Sequence, residues 1–156
     1  MKVLFVCDGN ICRSPMAAEY LRSRAAREGL SHVVVDSAGL LGIEGAPAAP
    51  HAVALLRDEG LDLTSHRSRG ITSADLRTSD VVVAMTLAQL DVLARRFPQG
   101  HERRWLLRAF EGGPVPRGGA PELDDPVTGP MAAFRGAFGI IRSCVDHLVL
   151  HLKHAS

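Results

Sequence analysis

Cys7-Asp8-Gly9-Asn10-Ile11-Cys12-Arg13-Ser14-Pro15 separates a short apolar run, Lys2 to Val6, from a segment with helical spacing. A glycine-bearing loop between strand and helix can turn several backbone N–H groups toward one point, where the helix N-terminus adds about half a positive charge. Phosphate is the natural occupant. A cysteine at the start of such a loop adds a thiol whose anion the cradle stabilises, and an arginine six residues later adds a planar guanidinium fork. A free thiol ionises at about 8.5, but cationic, helix-terminal surroundings lower that to about 3.5–7.5, so Cys7 is expected as a thiolate nucleophile. Phosphorus over that sulfur, gripped by Arg13, would be stabilised as it becomes trigonal-bipyramidal.

Attack by a thiolate requires a proton for the departing group, supplied from the opposite side. Asp125 precedes Pro126, which biases it toward extended backbone, and lies in a Pro/Gly-flanked loop from which a side chain can reach a cleft. Asp124 competes for the role on this evidence, and most Asp-Pro pairs are simply turns. Cys7 and Cys12 could also be read as metal ligands, yet no nearby Cys or His pair completes a tetrahedral set. No metal or cofactor is expected.

The elements that must hold these groups alternate. Val3 to Val6 reads as a strand buried on both faces. Ser14 is the expected N-cap of the next helix, with Pro15 in its first turn; Met16, Tyr20 and Arg24 share one face, Ala17 and Leu21 the neighbouring one, and Gly29 is the stop. His32 to Asp36 repeats the strand signal, Pro50 opens a second helix that Gly60 closes, and Asp80 to Met85 is a third strand. Thr86 with Gln89 forms a capping box opening a helix that ends before Pro98, and Trp105 to Phe110 is a fourth, less regular strand. Glu111 to Pro121, rich in Gly and Pro, is a loop. Met131 to about Leu152 carries an apolar stripe at Ala137, Ile141, Val145, Leu148 and Leu152, with Phe134 and Phe138 beside it. Such alternation, with right-handed crossovers, predicts a single α/β domain: an open parallel sheet covered by helices on both faces, with ligands at the carboxyl ends of the strands, where Cys7 lies.

The 156 residues suit one domain with a sizeable core, and 46 % hydrophobic content argues against disorder. With 18 basic and 17 acidic residues there is no overall electrostatic reason to bind nucleic acid or a membrane surface. Asp8 interrupts the first apolar run well short of a signal peptide core, and no stretch approaches the ~20 apolar residues of a membrane span. Three cysteines cannot pair completely, which suits a reducing compartment. A soluble cytoplasmic protein is expected. His147, His151 and His154 share a helical face, read as a solvated stripe, and Arg67 and Arg69 stay unassigned between cleft border and ordinary surface.

Val6 to Pro15 resembles the signature loop of the low-molecular-weight protein tyrosine phosphatases. Asp36-Ser37-Ala38-Gly39, Gly60-Leu61-Asp62 through Ser65-His66-Arg67, Asp80-Val81-Val82 through Met85-Thr86, and Asp124-Asp125-Pro126 occur in that family's order and approximate spacing. The resemblance implies a four-stranded parallel sheet in a three-layer sandwich and a two-step, metal-free mechanism through a cysteinyl-phosphate. Carried over, Cys7 is the nucleophile in a phosphate-binding loop of Asp8, Gly9, Asn10, Ile11, Cys12, Arg13 and Ser14. Arg13 clamps phosphate, Ser14 bonds the thiolate, and Asn10, Ser37 and His66 support the loop. Asp125 protonates the leaving group and then activates water. Cys12, near Cys7, either joins it in a protective disulfide or only packs as a small apolar residue. The implied substrate is a phosphorylated protein, a tyrosine kinase among the candidates, or a small phosphoester.

The pocket walls depart from that pattern. Asp8 stands where an apolar or hydroxyl residue is common, Ile43 about where an aromatic often lies, and Val127 and Thr128 replace aromatics after Asp-Pro. Losing two aromatic contacts, each worth about 0.5–1.5 kcal/mol, would weaken phosphotyrosine selectivity. Asp8 repels thiolate and dianion alike and is expected to point outward, favouring a cationic or hydroxyl-rich substrate. Phosphoarginine phosphatases typically carry threonine where Ile11 stands, which favours the phosphotyrosine branch. Related arsenate reductases relay electrons through further cysteines, and none lies between Cys12 and Cys144. A non-enzymatic phosphate-binding module would need no thiol at the attacking position.

Overall fold

The computed structural model describes residues 1–112 and 122–155. Most of the Glu111 to Pro121 loop lies outside the described residues.

Four strands, β1 (Lys2–Cys7), β2 (Val34–Gly39), β3 (Val81–Ala84) and β4 (Arg104–Leu106), form one parallel sheet in the order β2-β1-β3-β4. The central strand is β1, bonded on both sides, which explains its unbroken apolar sequence: Val3, Leu4, Phe5 and Val6 are all fully buried. Period-two alternation sorts them between two cores. Val3, Phe5, Val81 and Val83 pack with α1 (Arg13–Arg27), α2 (Pro50–Asp58) and α5 (Met131–Ala155). Leu4, Val6, Val82 and Ala84 pack with Leu76 of α3 (Ser73–Thr78) and Leu93 of α4 (Leu87–Arg96). This is the expected single three-layer α/β domain. Every residue of the α5 stripe is buried, as are Phe134 and Phe138.

Local chemistry explains most element ends. Pro50 occupies the first turn of α2, and the chain turns out of α1 and α2 at Gly29 and Gly60, both at positive φ. Thr86 accepts from Gln89 N while the Gln89 side chain accepts from Thr86 N, completing the capping box of α4.

Three expectations need correction, and one further helix is added. Ser14 does not cap α1: the helix begins at Arg13 with Cys12 as N-cap, and the Ser14 hydroxyl is taken up by Cys7 and Asn10 instead. β2 runs two to three residues further along than His32 to Asp36, because Ser37, Ala38 and Gly39 pair with Phe5, Val6 and Cys7 despite their turn-like composition. β4 is only three residues long, followed by a 3-10 turn at Leu107–Phe110 in place of more strand. The short helix α3, opened by a Thr72–Asp75 capping box, leaves little trace in the sequence because six largely polar residues carry little periodicity. Among the described residues, no helix is long and apolar enough to cross a membrane.

Candidate active site

Cys7 ends the central strand, and residues 8–12 loop from it into the N-terminus of α1. Beneath this loop β2 passes so closely that a Cβ on Gly39 would lie 2.8 Å from the Asp8 carbonyl and 3.1 Å from Asn10 N. Only glycine permits that approach.

The loop turns at Asn10, whose φ of 58° is in the left-handed region that asparagine tolerates better than most residues. This fully buried side chain is the hub of the site. Its Nδ2 donates to Ser14 Oγ at 2.8 Å and to Ser37 Oγ at 3.0 Å, and its Oδ1 accepts from Arg69 N at 3.1 Å. The Asn10 carbonyl accepts from His66 Nε2 at 2.7 Å, which fixes the imidazole proton on that nitrogen. Burial pushes the His66 pKa down, against the opposing pull of the bond to Asn10. Asn10, Ser14, Ser37 and His66 are thus brought together in one hydrogen-bonded cluster. Arg69 joins them through its backbone, while its guanidinium is anchored on Asp36 and Asp75 at 2.9 Å. Arg67 instead donates to the Thr64 and His66 carbonyls.

Ser14 Oγ lies 2.9 Å from Cys7 Sγ. Because the Asn10 amide can only donate through Nδ2, Ser14 accepts there and offers its proton to the sulfur.

Arg13 is 1 % exposed, with Nη1 donating to the Leu123 carbonyl at 2.9 Å. Its Nη2 meets two carboxylates, Asp8 and Asp125, each at 3.3 Å. Nε is buried with no partner among the described residues. The other oxygen of Asp125 accepts from Val127 N at 3.1 Å and from the Cys12 thiol at 3.2 Å. Burial, reinforced by the Asp125 charge, pushes the Cys12 thiol well above its ordinary range, so it remains a proton donor.

The outward orientation expected of Asp8 is overturned. Its carboxylate pairs with Arg13 and also accepts from Gln89 Nε2 at 3.1 Å, since attraction to a buried guanidinium outweighs repulsion within the loop. Gln89 therefore belongs to the site, although its capping-box pattern signals only a helix start.

A cleft of about 240 Å³ opens over the sulfur, lined by Cys7, Asp8, Gly9, Ile11, Cys12, Leu41, Ile43, Asp125 and Val127. The four expected wall residues, Asp8, Ile11, Ile43 and Val127, are all there; Leu41 is an addition. Asp124 lines a different cavity, of about 300 Å³, with Arg108 and Glu122, so only Asp125 of the pair meets Cys7's cleft. On α5, His147 bonds the Ser143 carbonyl and His151 lies against Phe110.

A cysteine at the carboxyl end of a central parallel strand, set in an arginine-bearing anion loop, defines a cysteine-dependent phosphatase. The chain belongs to the low molecular weight phosphotyrosine protein phosphatase family, whose sequence profile matches residues 2–156. It is 33 % identical to a protein-arginine-phosphatase of Geobacillus stearothermophilus, covering 97 % of this chain and 96 % of that one. It is 36 % identical to the low molecular weight protein-tyrosine-phosphatase of Streptomyces coelicolor, covering 97 % and 93 %. The solved structure of the YwlE arginine phosphatase mutant with a phosphorylated active-site serine superposes with a TM-score of 0.89 at 30 % identity, covering 98 % and 96 %.

Proposed function

We propose that the protein hydrolyses phosphotyrosine in proteins, with Cys7 as nucleophile, Arg13 as phosphate clamp and Asp125 as acid and base. The Cys7 sulfur attacks phosphorus as the bond to the leaving oxygen breaks, and Asp125 gives that oxygen its proton. Arg13 and the loop N–H groups bind the equatorial oxygens. Asp125 then takes a proton from water, whose oxygen attacks phosphorus, breaking the S–P bond and releasing phosphate. Ser14 stabilises the departing thiolate by its hydrogen bond. The observation that carries this reading is that Cys7 and Asp125 line one cleft, with Arg13 Nη2 3.3 Å from Asp125 Oδ2 and Ser14 Oγ 2.9 Å from Cys7 Sγ.

Ile11 in the cleft supports the phosphotyrosine branch. A second reading, phosphoarginine or a non-aromatic small phosphoester, is favoured by walls of Leu41, Ile43 and Val127 that offer no ring for stacking. Phosphorylated proteins, a tyrosine kinase among them, are the proposed partners, and the cytoplasm is the proposed compartment, in keeping with three free cysteines.

Hydrolysis of p-nitrophenyl phosphate, abolished in Cys7→Ser and slowed about a hundred- to ten-thousandfold in Asp125→Ala, tests the mechanism. Persistent turnover by Cys7→Ser overturns it. Peptides of one sequence bearing phosphotyrosine or phosphoarginine separate the two substrate readings by kcat/KM.

A further inference from the structure

One carboxylate at the cleft is not required by this chemistry. Asp8 is fixed at both oxygens, Oδ2 on Arg13 Nη2 and Oδ1 on Gln89 Nε2. Gln89 is itself immobilised: it is 2 % exposed, and its Oε1 accepts from the backbone N–H groups of both Met85 and Thr86. The Asp8 side chain is nevertheless 49 % exposed and lines the cleft with Cys7. Its negative charge is therefore oriented, but not shielded from a substrate.

Any phosphoryl dianion that reaches Arg13 meets this charge and is repelled by it. A neutral aryl leaving group does nothing to offset the repulsion, and the aliphatic walls give it no stacking partner. An ammonium or guanidinium group close to the phosphoryl group converts the same charge into an attraction.

We propose that Asp8 is a specificity-determining residue, held in place by Gln89 as a positioning residue, that selects phosphorylated substrates carrying a positive charge near the phosphoryl group. The inference rests on the cleft being the phosphatase site proposed above. It differs from a structural role for Asp8 because its effect depends on the charge of the substrate.

The test compares phenyl phosphate with 4-(aminomethyl)phenyl phosphate, which differ by one ammonium group. The wild type is expected to prefer the ammonium ester by about tenfold in kcat/KM, and Asp8→Asn to bring that preference near unity. Inorganic phosphate, as a competitive inhibitor, should bind Asp8→Asn about tenfold more tightly, a readout independent of turnover. Gln89→Met, which removes the donor to Asp8 without adding a charge, should lower the preference through KM rather than kcat. Asp8→Glu, which keeps the charge, should restore part of the preference. An Asp8→Asn variant that changes both esters by the same factor, with unchanged phosphate inhibition, overturns the inference alone. Absence of turnover of both esters by the wild type overturns the phosphatase reading, and this inference with it.

Discussion

The Cys12 thiol donates to the carboxylate of Asp125 at 3.2 Å, joining the phosphate loop to a residue 113 positions away in the chain. Burial and the Asp125 charge both hold that thiol in its protonated form. Burial likewise pushes the thiol of Cys144 up to about 12. With iodoacetamide at pH 8, peptide mass spectrometry is expected to find both residues unlabelled in the folded protein. Asp125→Asn removes the carboxylate's contribution at Cys12 and changes nothing at Cys144, so only Cys12 should label faster. Equal labelling of Cys12 with and without the Asp125 charge would contradict the coupling.

Asn10→Ala removes a buried amide that satisfies Ser14, Ser37 and the Arg69 backbone, and forces alanine to φ 58°. A loss of about 2–4 kcal/mol in urea unfolding is expected, from the orphaned partners together with backbone strain. A loss below about 1 kcal/mol would show that the hub is dispensable to the fold.

Two glycine substitutions should have opposite signs. Gly39→Ala drives a methyl against the Asp8 carbonyl, a backbone atom that cannot swing aside, and should cost about 1–3 kcal/mol while distorting the phosphate loop. Gly136 lies exposed in α5 with no atom within 4 Å of an added Cβ, so Gly136→Ala should stabilise by about 0.5–1 kcal/mol. Thermal unfolding of the two variants, with activity assayed alongside, checks both signs.

His66 gives the loop a pH dependence. Its folded pKa lies below the unfolded value because burial disfavours the cation, helped by the charges of Arg22 and Arg67. The unfolded chain therefore binds the proton more readily, and stability falls as pH drops below about 6.5 through the folded pKa. His66→Gln keeps an N–H donor for the Asn10 carbonyl and removes the titration. Urea midpoints between pH 5 and 8 should vary less in that variant than in the wild type; an unchanged slope would assign the dependence to other groups.

What could be read from the residues was what is encoded locally. The cysteine-to-arginine spacing, the Thr86–Gln89 capping box and the apolar stripe of α5 each declare themselves within a few turns of chain. The end of β2 is hidden in the sequence because Ser37, Ala38 and Gly39 are small so that β1 and the loop can approach, a tertiary demand that resembles a turn in composition. The Arg69 contact left no signal, since it is made by a backbone N–H that any residue but proline supplies. The orientation of Asp8 is not legible locally, because it is decided by Gln89, 81 residues away, and by how deeply Arg13 is buried.

The cleft divides its labour unevenly. Asn10, Arg13 and Ser14 are sealed in the protein, whereas the Leu41, Ile43 and Val127 side chains project into solvent, at 68 % exposure for Leu41. Exchanging surface-projecting side chains costs little stability, so the rim can drift through sequence space while the reactive centre stands still. A lineage could therefore acquire a new client by altering three positions, keeping its catalyst intact.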